Sequence, residues 1–436
     1  MNKMLNQRAV IALVMLAMAF PISSMRIQVG LMSASGLSQQ TPVYDGPIFD
    51  VHVNAGAMNV DLVRVFMSNL EQVGVAKSVL NGFDDSVDRS FKIMRFKQMY
   101  PDRVLASLYF GNQYNQANSS SAVSAAEQAY DKGLRMFGEM LLKHVDDCAI
   151  PADDSNVLKI FDIAASKNIP VLVHHDRDYQ ELERALRHNR NTTVIFHGWR
   201  GSWTRCDFSP EGFRKLLLDH YNLMVALDTL RFPWIGAVFM DQSTGILKKE
   251  WKDLFEEMPY RFVVGSDFYD PEKDFSLDSV RSFANLYRGM LGQLSHSAAK
   301  RFAYQNLEGI LSGKPFTHAV KAMDDANASI QEAMAEGRTS NIEKAKVLLV
   351  NATAVFEKGE FDNVVMLARQ AKSLADTSTK PATETASRAT TQIVTTPTAE
   401  IFYTQYAVVG TIAAVLVIFG LLGSNRIRKK QTSARH

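Results

Sequence analysis

Residues able to do chemistry recur at the ends of β-rich runs in this chain. The stretch PIFDVHVNAG, Pro47 to Gly56, sets Asp50, His52 and Asn54 two apart, and two-residue spacing on a strand sends side chains to one face. Further along, PVLVHHD carries His174 and His175, TVIFHGW carries His197, LMVALDT carries Asp228, RFVVGSD carries Asp267 and LRMFGEM carries Glu139. Buried imidazoles and carboxylates are costly unless paired or bound to a metal. Mixed imidazole and carboxylate ligands with one open position suit zinc or a similar divalent ion. Singly, each residue has a plainer reading: a strand-end His can be merely hydrogen-bonded, Asp267 can cap the following loop, and Glu139 can pair with Arg135 or Lys143. His175, next to His174, is expected to point away from the barrel axis. Together, His52, His174, His197 and Asp267 on four strand ends call for a shared partner.

The elements that must position them follow from the pattern. Eight short apolar runs, PIFDVHV, AKSVLNG, RVLASLYF, LRMFGEM, PVLVHHD, TVIFHGW, LMVALDT and RFVVGSD, alternate with helical periodicity as in NVDLVRVFMSNLEQVG and SPEGFRKLLLDHY. Eight strands alternating with helices over residues 47–313 predict an α/β chain folded as a (β/α)8 TIM barrel, whose chemistry sits at the C-terminal strand ends. The runner-up, a doubly wound open sheet, lacks a Gly-rich phosphate fingerprint after the first strand. Residues 318–376 are Ala-rich and amphipathic, with Ala345, Leu348, Ala352 and Phe356 on one stripe and Phe361, Val364, Leu367 and Leu374 on another. They predict a small α-helical hairpin module of two or three helices, a stalk or a surface for a protein partner. Residues 377–399, rich in Thr, Ser and Pro, read as an extended linker.

Composition and the chain ends bound the compartment. Lys and Arg number 48 against 46 Asp and Glu, a net charge of +2 over 436 residues, so nucleic acid is not an expected partner. Residues 1–24 combine Lys3 and Arg8, the apolar run VIALVMLAMAF and a small-residue stretch after Pro21, the pattern of a secretory signal peptide. The uncharged run YAVVGTIAAVLVIFGLLG, residues 406–423, precedes Arg426, Arg428, Lys429 and Lys430. It predicts a single C-terminal transmembrane helix followed by a basic cytoplasmic tail, residues 424–436. The bulk of the chain is then expected outside the cytoplasm, anchored to the cell membrane by one pass. Sequons at Asn118, Asn191, Asn327 and Asn351 are compatible with that location. Cys148 and Cys206, the only cysteines, either pair or remain free thiols.

FDVHVN, IPVLVHHD, TTVIFHGWRG and YRFVVGSDFYD, in that order, together resemble the amidohydrolase superfamily, and within it amidohydrolase family 2, the amidohydrolase-related metal-dependent hydrolases and decarboxylases. AAKRFAYQNLEGIL resembles that branch's closing helix, with Asn306 at its recurring Asn. The resemblance spans about residues 47–312. It implies a first-strand metal ligand at His52, a fifth-strand ligand at His174, and a sixth-strand His at His197 that binds a second metal or polarises substrate. It also implies an eighth-strand Asp at Asp267 that binds metal and accepts a proton from the attacking water. Glu139 falls near the position of a bridging acid in binuclear relatives. Asn54 departs from the usual His-x-His, and an amide oxygen is a weaker zinc ligand than imidazole. His52, His174 and Asp267 still form a three-ligand set with room for water, so one zinc is expected, with manganese as the alternative. Asp50 shares the strand but sits about 6.6 Å deeper than His52, and a structural role is expected for it. Trp199, Arg200 and Trp203 in HGWRGSW, with Asp228, are the expected substrate-binding residues. The implied activity is hydrolysis of a small amide, ester or lactone by metal-activated water, with Asp267 as base and His197 stabilising the oxyanion or protonating the leaving group. The alternatives are decarboxylation on the same scaffold and a non-catalytic binding barrel.

Overall fold

The computed structural model describes residues 42–82, 87–111, 117–144, 148–175, 179–197, 209–228, 230 and 232–380. The expected signal peptide, the transmembrane segment, most of the linker, Cys206 and the segment with Trp199, Arg200 and Trp203 lie outside them. Among the described residues, no helix is long and apolar enough to cross a membrane.

Eight parallel strands form the barrel wall: β1 (Ile48–Asn54), β2 (Val75–Asn81), β3 (Val104–Phe110), β4 (Met136–His144), β5 (Val171–His175), β6 (Val194–His197), β7 (Leu223–Leu227) and β8 (Phe262–Val264). They are hydrogen-bonded in that order, and Cys148–Ala149 folds back antiparallel on β4. The circle is nearly closed by the segment after β8. Val53 bridges Phe268, Asn54 N donates to Phe268 O at 2.7 Å, and Asp267 N donates to His52 O at 3.0 Å.

Helices α1 (Val60–Gln72), α2 (Val87–Met99), α3 (Ser120–Ala129), α4 (Ser155–Lys167), α5 (Tyr179–His188) and α6 (Pro210–Asp219) alternate with β1 to β7. Local chemistry sets their starts. Asn59, Ser119, Asp154 and Ser209 occupy N-caps with side-chain oxygens accepting from the first turn, and Pro210 follows Ser209. α7 (Pro233–Phe239) and α8 (Lys249–Glu257) lead to β8. α9 (Leu277–Leu291), α10 (His296–Lys300), a π-helical turn (Arg301–Gln305) and α11 (Asn306–Leu311) complete this part. Asn306, buried, donates to Pro259 O at 2.7 Å and Phe262 O at 2.8 Å, fastening the closing helix to the start of β8.

The Ala-rich region forms three helices, α12 (Phe316–Ala335), α13 (Ile342–Phe356) and α14 (Phe361–Asp376). They close the N-terminal end of the barrel. One continuous apolar cluster joins the barrel-interior residues Phe49, Val79, Leu172, Ile195 and Val263 to Phe316, Val320, Ala352, Phe356 and Val364. Polar clamps reinforce the contact. Buried Arg261 donates to Asp324 Oδ2 at 2.6 Å, and Arg301 reaches Glu357 Oε1 at 3.2 Å with its guanidinium 4.3 Å from the Tyr260 ring centre. A half-exposed stalk would not share a core with the barrel; this module does.

Candidate metal centre

β1 does not present its polar residues as a regular strand would. Its pairing with β2 shifts register between Asp50 and Val53, and Phe49 and Val51 are the residues that join the barrel-interior cluster. The irregularity lets His52 and Asn54 reach the mouth while separating Asp50 from them. Asp50 Oδ1 accepts from His52 N at 3.0 Å and Ser266 N at 2.9 Å, stitching β1 to the segment after β8. Burial pushes the Asp50 carboxyl up to about 7, against the hydrogen bonds from Ser266 and His52. The structural role expected for Asp50 is what this geometry gives it.

The other expected residues come together from six strands. Glu139 is the hub: Oε2 lies 3.2 Å from His52 Nε2 and 3.4 Å from Asn54 Nδ2, and Oε1 lies 2.9 Å from His174 Nδ1 and 3.0 Å from His197 Nε2. Gly138 makes this placement possible. Its φ of 110° is open to glycine, and a β-carbon there would meet the Leu172 carbonyl oxygen at 2.2 Å. The rings of His52 and His174 each stand edge-on to that of His197, with centres 4.5 Å apart.

Asp228 was expected against substrate. It lies instead beneath the histidines, fully buried, with Oδ2 3.0 Å from His52 Nδ1 and 2.9 Å from His197 Nδ1. Gly265 gives it room, since a β-carbon there would fall 2.5 Å from Asp228 Cβ. The sequence signal available was parity: on LMVALD, Met224, Ala226 and Asp228 share the inward face. Asp267 lines the mouth, its side chain 19 % exposed against 11 % for His174 and none for His52. Its Oδ1 is 3.5 Å from Asn54 Nδ2 and 3.8 Å from His52 Nδ1. Its φ of 51° is left-handed, a conformation Asp tolerates better than most residues. His175 is buried and follows His174 on the strand.

Charge settles into pairs. Burial would depress His52 and His197, but Glu139 and Asp228, joined at His52 by Asp267, raise both imidazoles above their ordinary range. Burial would raise Glu139 and Asp228, but the histidines hold both carboxyls low. At Asp267 burial wins: with Asp228 and Glu139 nearby, and despite His52 and His197, it rises to about 6.

This donor set fits a divalent ion. Two candidate ligand groups, His52–His197–Asp228 and Glu139–His174–His197, have ligand atoms within 4.8 Å of one another. Both ring nitrogens of His197 are buried and lack hydrogen-bond geometry despite their close carboxylate neighbours. Asn54 Oδ1 and Asp228 Oδ1 are likewise buried without a partner. Lone pairs converging without satisfying one another are what a nitrogen- and oxygen-liganded cation would complete.

No protein-family model and no curated protein matches the chain. Among solved structures it is similar to a TIM-barrel protein from Bordetella bronchiseptica (13 % identity, TM-score 0.44, 61 % of this chain and 99 % of that one). It is similar also to an amidohydrolase from Burkholderia multivorans with bound zinc (12 %, 0.41, 61 % and 99 %) and to L-hydantoinase from Arthrobacter aurescens (13 %, 0.42, 61 % and 70 %). At these scores the barrel rests on the strand order and closure described above.

Proposed function

We propose that this chain is a metal-dependent hydrolase acting on a small amide, ester or lactone, held at the cell membrane with its barrel outside the cytoplasm. The observation that carries the catalytic reading is the meeting of His52, Glu139, His174, His197, Asp228 and Asp267 from six strands at the mouth of one barrel. The membrane and compartment parts rest on the sequence alone, on residues 1–24 and on the apolar run 406–423 with its basic flank.

A divalent ion would be held by Glu139, His174, His197 and His52, and when bound would polarise a carbonyl and lower the pKa of water. Asp267 is the residue suited to accept the proton. It is the most exposed of the cluster's carboxylates, and a carboxyl near 6 is partly ionised at neutral pH yet basic enough to take a proton. Buried His197 is better placed to orient and ligate than to reach a leaving group. Asn54 donates to both Glu139 and Asp267 and holds the two carboxylates apart. A single ion, zinc or manganese, fits a site whose first strand offers one imidazole.

Metal analysis of the purified protein tests this. About one equivalent of tightly held ion, lost in a His174→Ala, Asp267→Ala double variant that still folds, is expected. A folded protein that takes up no divalent ion would overturn the reading. Turnover on panels of amides, esters and lactones beside carboxylated aromatics then separates hydrolysis from decarboxylation.

A further inference from the structure

One buried amide at the barrel mouth is left without a bond. Asn81, the last residue of β2, is fully enclosed, and neither its Nδ2 nor its Oδ1 has a hydrogen-bond partner among the described residues. Its backbone is fixed, since Asn81 O accepts from Ala55 N at 2.8 Å. Val79 belongs to the barrel-interior cluster, and Leu80 to the cluster shared with the surrounding helices. Alternation along β2 therefore points the Asn81 side chain inward, above Val79.

Its neighbours in the sheet are engaged elsewhere. Asn54, its partner in register on β1, turns Nδ2 to Glu139 and Asp267 at 3.4 and 3.5 Å. Ser107, its partner on β3, donates to the carbonyls of Met136 and Gly138. Paired strands lie about 4.8 Å apart, so Asn81 stands one strand spacing from Asn54, the residue that contacts Asp267. A buried amide with neither end paired is costly, and native structures rarely keep one without a purpose. At a strand end beside the expected base, that purpose is a bound molecule.

We propose that Asn81 is a specificity-determining residue that grips the substrate with both ends of its amide, and that the substrate is a cyclic amide: a lactam, cyclic imide or cyclic urea. The proposal rests on the hydrolytic reading of this mouth and narrows its substrate class. Asn81 presents a donor and an acceptor side by side. An ester or lactone offers acceptors only and leaves Oδ1 unpaired. An open-chain secondary amide is trans, with its carbonyl and N–H pointing apart, so it meets one end of Asn81 at a time. A small ring holds the amide cis: its carbonyl oxygen accepts from Nδ2 while its N–H donates to Oδ1.

The test uses the full chain and two six-membered rings, δ-valerolactam and δ-valerolactone, which differ by an N–H against a ring oxygen. In Asn81→Leu the ratio of kcat/KM for lactam over lactone should fall about 10–100-fold from its wild-type value, because the preference for a paired Oδ1 disappears. Comparing ratios cancels the intrinsic reactivities of the two rings. Should the leucine variant not fold, Asn81→Ala is read in the same way with the same expectation. An unchanged ratio in a folded variant overturns the proposal, as does failure of both variants to fold, which would make the amide structural. If the wild type opens neither ring, the hydrolytic reading loses its support separately, and the Asn81 side-chain ¹H–¹⁵N signals decide the binding role. Displacement of those signals by the lactam beyond that by the lactone supports it; equal displacement, or none, overturns it.

Discussion

Metal uptake by this cluster should release protons, and Glu139 should determine how many. Burial by itself would lower His52 and His197, yet Glu139 and Asp228 reverse that and raise both. Without metal, each ring then keeps its second proton to a higher pH than an ordinary imidazole, its Nε2 facing Glu139 at 3.2 and 3.0 Å. A ligating histidine must be neutral, so each ring gives up that proton when an ion binds, about two per ion. The sign follows directly. Protons compete with metal, so affinity strengthens as pH rises, by about a hundredfold per pH unit for two protons, and flattens once pH passes the raised histidine values. Glu139→Gln keeps the shape and removes the charge. His52, raised first by Glu139, should fall back toward the ordinary imidazole range, and His197, raised first by Asp228, should fall less. At pH about 7.5 the variant should therefore release fewer protons than the wild type while binding about tenfold more weakly or worse. Isothermal titration with zinc in buffers of different ionisation enthalpy counts the protons. Equal release by the variant and the wild type, or release near zero by the wild type, would refute the reasoning.

Three other outcomes are expected. Asp50, raised by burial from 3.8 to about 7, keeps its proton in the fold where the unfolded chain has lost it. Its stabilising contribution is therefore full below pH about 4 and is lost as pH rises through 7, about 4 kcal/mol in all. Asp50→Asn, which retains an accepting oxygen, should remove much of that slope in urea melts compared at pH 5 and 8. Arg261→Met strips the bond to Asp324 and the donation to the Tyr221 and Leu223 carbonyls. Breaking a buried pair from one side costs about 3–5 kcal/mol; since Asp324 is 31 % exposed and recovers some hydration, the low end is expected, read as a drop in the calorimetric Tm. Asn54→Ala should weaken metal binding by less than about tenfold, because its contacts to Glu139 and Asp267 are long, at 3.4 and 3.5 Å; a larger loss by chelator competition would make Asn54 a direct ligand.

The barrel was legible because its strands are buried on both faces and read as short apolar runs, and all eight runs are strands in the structure. The convergence of His52, Glu139, His174, His197 and Asp267 was legible for a related reason: parallel strands of a barrel deliver their C-terminal residues to one place. Two features were not. A strict period of two put Asp50 and His52 on one wall, but a register shift in β1 depends on which hydrogen bonds its neighbours offer, and Ser266 is more than two hundred positions away in sequence. Asp228 was legible as polar and inward but not in depth, because Gly265, which makes room for it, lies just past the end of β8. Periodicity also revealed the amphipathic stripes of α13 and α14 without revealing what they cover. The answer lies in the floor of the barrel, where Phe49 and Val263 wait for Phe316 and Phe356.

That floor has a practical corollary. The far end of the helical module is held by its own small cluster of Ile330, Ala333, Ile342, Ala345 and Ala375, with no barrel residue in it. There Thr379 O accepts from Thr339 N and Ser340 N, and Thr379 N donates to Ser340 Oγ, at 2.7–3.2 Å. The last described residues are therefore fastened on the side of the protein away from the barrel mouth. A resin, a fluorophore or a force probe attached after Lys380 loads the three helices first. It pulls on the end of the barrel opposite the strand ends that carry His52, Glu139 and His197.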